Sequence, residues 1–124
     1  MANNSELSDP ITDMGEVQSI FCREHCAAFL AVSPDSMLGF ALESKGRIPV
    51  NGLRHYPQGD TNGWYIWCGE EYLSTPDFFS PLHTRHVYED HPQLIKFLGL
   101  APGYRFLISG EYVDVWFDPT ILNV

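Results

Sequence analysis

His83-Thr84-Arg85-His86 spaces two imidazoles three residues apart, and His91 follows five residues beyond. Neutral imidazole is a common transition-metal ligand, so the cluster is a candidate metal site. A three-residue gap aligns two side chains only on a helix, and Pro81 and Pro92 leave little room for one. Neither HExxH nor CxxC spacing is present. Packing or surface histidines are the better reading, and a metal-binding or enzymatic domain using His83, His86 and His91 is the alternative.

Cys22-Arg23-Glu24-His25-Cys26 sets two thiols one helical turn apart, beside an imidazole and a guanidinium that could lower a thiol pKa. Cys22 adjoins an apolar stripe, and free cysteine is among the most buried residue types, so burial is favoured over a nucleophile. No GxSxG, P-loop or GxGxxG accompanies the pair. No catalytic residue and no cofactor are expected.

Glu70-Glu71 and Asp77 offer carboxylates for acid–base work. Adjacent residues on an extended chain point opposite ways, which spoils the pairing of Glu70 with Glu71 and favours an exposed acidic loop. What is distinctive is acid placed beside ring: Asp60, Trp64, Glu70, Glu71, Tyr72, Asp77, Phe78 and Phe79 fall within twenty residues. Aromatic anchors beside carboxylates suit capture of a basic partner. Trp64, Phe78 and Phe79 are expected in the core, which leaves Tyr72 as the exposed ring. Asp60, Glu70, Glu71, Tyr72 and Asp77 are therefore the candidate partner-binding residues.

These groups need a frame. Ser8-Asp9-Pro10 supplies a cap and an early proline, and Ile11, Met14, Val17, Phe21 and His25 recur at helical spacing, predicting a helix over about 9–25 whose face packs on a sheet. Residues 27–33 and 37–44 read as two strands joined at Pro34-Asp35-Ser36. Asn51-Gly52 reads as a turn, with Pro49 confining any strand there to an edge. Asp60-Thr61-Asn62-Gly63 reads as a turn before Trp64-Tyr65-Ile66-Trp67-Cys68, the expected central strand. Residues 69–82 read as an ordered loop. A short helix follows Pro92 and ends at Gly99 in a left-handed stop; a hairpin about Gly110-Glu111 then closes the chain, with a tucked tail. The expected fold is α+β: one domain over 1–124, a mostly antiparallel sheet with an N-terminal helix and a short second helix.

At 124 residues, 44% hydrophobic and 14% aromatic, the chain can order one core. Seven Lys+Arg against sixteen Asp+Glu leave a charge of -9, which repels phosphate backbones and excludes a general nucleic-acid binder, while attracting basic macromolecules. No apolar run long enough to span a membrane and no basic, apolar leader are present, and three cysteines make no disulfide framework. A cytoplasmic protein without a membrane partner is expected.

Thr61-Asn62-Gly63-Trp64-Tyr65-Ile66-Trp67-Cys68-Gly69-Glu70-Glu71-Tyr72, followed by Pro92-x-Leu94-Ile95-x-x-Leu98 and Pro102-Gly103-x-x-Phe106, resembles immunity protein family thirty-three of bacterial polymorphic toxin systems, formerly a domain of unknown function. The resemblance covers 29–117 and leaves the N-terminal helix outside the family core. It implies a non-enzymatic protein that binds a cognate toxin and neutralises it, and the charge of -9 points to a basic toxin such as a nuclease. The positions carrying the resemblance are Gly63, Trp64, Gly69, Glu70, Glu71 and Tyr72. An adaptor or ligand-binding module is the remaining alternative.

Overall fold

The computed structural model describes residues 10–70 and 78–123. Helix α1 spans Pro10–Glu24, close to the expected range. Strands β1 (Met37–Phe40), β2 (Val50–Arg54), β3 (Thr61–Cys68), β4 (Ser80–His83), β5 (Tyr104–Ser109) and β6 (Tyr112–Phe117) form one sheet in the order β4-β1-β3-β2-β5-β6. Four ladders are antiparallel, and β1 runs parallel to β3. The α+β class with a mostly antiparallel sheet is as the sequence implies. Helix α2 (Thr84–Asp90) and a 3₁₀ helix (Pro92–Gly99) share one face of the sheet with α1.

The main core lies on that face, where Leu38, Phe40, Trp64, Ile66 and Phe106 of the sheet meet Phe21, Val87, Leu94 and Phe97. Burying each such aliphatic or phenyl side chain contributes roughly 1.5–3 kcal/mol before entropy is counted. A smaller cluster on the opposite face joins Ala41, Leu53 and Trp67 to Ile121 of the C-terminal tail. Asp118 anchors that tail: it accepts from Thr120 and pairs with Arg105, and these contacts hold its carboxyl below the ordinary carboxylate range.

Several sequence expectations are corrected. Residues 27–33 form no strand; an isolated bridge joins Phe29 to Leu100, and Ala27 and Val32 pack against the main core. Their carbonyls are used elsewhere: Leu30 O accepts from Arg54 Nη1 and Ala28 O from Ala101 N. Asn51-Gly52 is no turn but the middle of β2, and β2 is interior, between β3 and β5. Pro49 precedes Val50, so its missing N–H falls outside the ladder. Thr61-Asn62-Gly63 belongs to β3, and the turn sits earlier, at Gly59-Asp60. Gly63 has φ +95°, and a Cβ there would lie 2.0 Å from His55 O, so only glycine lets the chain enter β3 this way.

Ser80–His83 is a strand, and α2 follows it directly, whereas the sequence reading carried a loop as far as residue 82. Pro81 is tolerated because β4 is an edge. The 3₁₀ helix ends in extended Leu100 and not in a left-handed glycine. The face that α1 buries is also rotated: Gln18, Phe21 and Cys22 are inside, while Val17 and Ile20 are 46% and 42% exposed and His25 lies beyond the helix. Polar partners come from both neighbouring helices: Gln18 Nε2 donates to Ile95 O of the 3₁₀ helix and to the Tyr88 hydroxyl of α2, each at 2.9 Å.

Candidate functional site

Helix α2 brings the rings of His83 and His86 to 5.8 Å between centroids. His91 is not with them. It stacks on Phe40 at 5.2 Å, at the far end of β1 from Met37, which pairs with His83. Burial first, and then Lys45, lowers the His91 pKa. Among the described residues no three His, Cys, Asp or Glu side chains are grouped to hold a metal ion.

Cys22 is buried, and Cys26 follows the helix in a left-handed conformation with φ 53°. Burial pushes the thiols of Cys22 and Cys68 up, the opposite of what an activated thiolate requires. The described geometry places neither thiol in a nucleophile's surroundings.

The acid-and-ring segment is divided by β3 itself. Asp60 precedes the strand and Glu70 follows it. At about 3.3 Å per strand residue, the eight-residue strand between them is roughly 25 Å long, a span suited to one standard-size interface but not to one small ligand. Both are exposed. Glu71, Tyr72 and Asp77 lie outside the described residues.

Asp60 borders a cleft of about 430 Å³ with Ser33, Asp35, Met37 and His83. Asp35 is already engaged there, accepting from Arg85 Nη2 at 2.9 Å. Phe79 and Phe78 are half-buried, with Phe79 edge-on to Tyr65 at 5.1 Å and to Phe78 at 4.8 Å between centroids. Trp64 is 0% exposed and donates from Nε1 to Leu98 O at 2.9 Å, so it is core, as its place in an unbroken apolar strand implies.

Two features have no counterpart in the sequence reading. Arg54, 1% exposed, donates from Nε to Asn62 O and from Nη1 to Leu30 O and Leu100 O, each at 2.8 Å. It withdraws one of the seven basic groups from the surface and so leaves the exterior still more acidic. The second is the unequal finish of the sheet: β4 is short and carries Pro81, whereas β6 is six residues long and proline-free. Only tertiary placement makes β6 an edge, so no local signal could have marked it.

No helix among the described residues is long and apolar enough to cross a membrane. No curated protein and no solved structure matches the chain. The sequence profile of the Imm33-like domain, in contrast, matches residues 17–118. That span holds all six strands, both elements after β4 and the second half of α1, so the helix is not an addition outside the family core. With most of its length in the match, the chain belongs to the Imm33-like immunity-protein family.

Proposed function

We propose that this protein binds a cognate toxin and neutralises it without catalysis, and that the toxin is basic, as a nuclease with a positive substrate site would be. The observation that supports this is the family match over 17–118 on a chain of net charge -9. An acidic surface steers a basic partner toward encounter and repels nucleic acid, so it could stand in for the phosphate backbone at the toxin's site. Asp60, Glu70, Glu71 and Asp77 supply the carboxylates and Tyr72 the apolar anchor.

The test uses the toxin encoded by the adjacent open reading frame. Raising ionic strength from about 0.01 M to 0.15 M shortens the Debye length from about 30 to 8 Å. The on-rate should therefore fall at least tenfold while the off-rate changes little. Glu70→Lys with Glu71→Lys should slow the on-rate at low salt and leave folding stability within about 1 kcal/mol of wild type, because exposed charges contribute little to folding. A salt-insensitive on-rate together with full protection by the reversed pair would remove the acidic-loop contact.

A further inference from the structure

We propose that the β6 edge is where the toxin adds a strand, covering the apolar groove that Val113 shares with α1. The inference rests on the toxin-binding reading and assigns it a surface three strands away from β3, which Asp60 and Glu70 flank. Gly110-Glu111 is a two-residue turn closed by the pair Ser109–Tyr112. In such a hairpin the closing pair is hydrogen-bonded, and bonded and non-bonded pairs alternate beyond it. Asp118 N donates to Gly103 O at 2.7 Å, which continues the same alternation past the strand end. The backbone N–H and C=O groups of Val113, Val115 and Phe117 therefore point away from β5.

Edge strands invite pairing unless they are short or interrupted by proline, lysine or a bulge. β4 has two of these protections, being four residues long with Pro81 inside it. β6 is neither short, bulged nor interrupted by proline: its register with β5 runs unbroken from Phe117 to Tyr112, and YVDVWF carries a single charge, Asp114.

The second observation is the groove beside this edge. Val113 shares a depression of about 420 Å³ with Val17 and Ile20 of α1. These three side chains are 40%, 46% and 42% exposed. Val115 packs against the main core, which puts the Val113, Val115 and Phe117 side chains on the helix side of the sheet. A seventh strand would lie about 4.8 Å beyond β6, with alternate side chains over this groove. Val17 and Ile20 of α1 thus form the far wall of the groove whose near wall is the edge residue Val113.

Charge selects the occupant. Asp114 is exposed on the other face of β6, and Glu24 and Lys96 are both among the groove's lining residues. A second copy would bring together two chains of charge -9 and offers no base for Asp114 from its own β6, YVDVWF. A strand alternating apolar residues toward the groove with Lys or Arg toward Asp114 matches both faces.

The experiment uses the full chain and the toxin of the adjacent reading frame. Val113→Pro removes one outward N–H and no ladder bond to β5, and Val17→Asp sets a carboxylate in the groove at an exposed helix position. Melting curves establish that each variant is folded. Each should weaken Kd at least tenfold, and the amides of Val113, Val115 and Phe117 should gain hydrogen-exchange protection in the wild-type complex. That exchange result decides the matter even if Val113→Pro fails to fold. Unprotected amides in a complex that still forms overturn the edge proposal and leave the toxin-binding reading intact. A wild-type chain that does not bind the toxin overturns both. A dimer in sedimentation that Val113→Pro abolishes overturns the choice of occupant in favour of a second copy.

Discussion

Arg54→Ala is expected to lower the unfolding free energy by about 3–5 kcal/mol, since each buried carbonyl left without a donor costs about 1–3 kcal/mol and water re-entering the vacated space restores part of that. Three carbonyls depend on this one side chain: Asn62 O beside it on β3, Leu30 O in the segment without a strand, and Leu100 O after the 3₁₀ helix. The guanidinium therefore ties the sheet to two segments that no ladder holds. Burial pulls the Arg54 pKa down to about 10, so it remains charged at neutral pH. Lysine should recover less than half of the loss, because one ammonium cannot serve three carbonyls through a planar fork. Urea denaturation of the three proteins measures this. An alanine variant within about 1 kcal/mol of wild type would show that water replaces the guanidinium freely.

Trp64→Ala should cost about 3–5 kcal/mol through the cavity it leaves. It also strips the Nε1 donor from Leu98 O. The ring packs on Phe106 at 5.5 Å, in the centre of the main core. Recognition should weaken only as far as the folded fraction does, which calorimetry and titration at a temperature well below the melting point can separate. Unchanged melting with abolished toxin binding would place Trp64 at the partner instead. Arg54 Cζ lies 5.9 Å from the Trp64 ring centroid, so the double variant should deviate from additivity by about 0.5–3 kcal/mol.

The elements legible in the sequence were those whose pattern is local. The Ser8-Asp9-Pro10 start signal and the spacing after it marked α1, the ring-rich run marked the later part of β3, and the two-residue turn marked the β5–β6 hairpin. The family resemblance rested on the same kind of signal, the Gly-Trp strand with its Gly-Glu-Glu-Tyr continuation, and the match over 17–118 agrees with it. Turn chemistry misled where a polar or flexible residue serves a distant contact. Asn62 donates to Ser36 Oγ and Thr84 Oγ1 while its own Oδ1 accepts from Trp64 N, so it behaves as a buried strand residue and not as a turn former.

Of the proposed contacts, the sequence could select the acid-and-ring residues by type, and their surroundings depended on the fold. β3 holds Asp60 and Glu70 at its opposite ends because an extended chain separates residues that a list places together.

Composition, charge, the helical and strand periods and the family signature were determined by the sequence itself, since each depends on residue type and short spacing. Tertiary structure alone decided which strand became the open edge, which α1 residues stayed outside, and that Arg54 would be buried against three backbone carbonyls. Those outcomes depend on partners far apart in the chain. Leu30 O and Leu100 O meet Arg54 across 24 and 46 residues. Val17 meets Val113 at one groove from opposite ends of the domain. Neither meeting leaves a mark on neighbouring residues, because the energy that selects it arises only when the core closes.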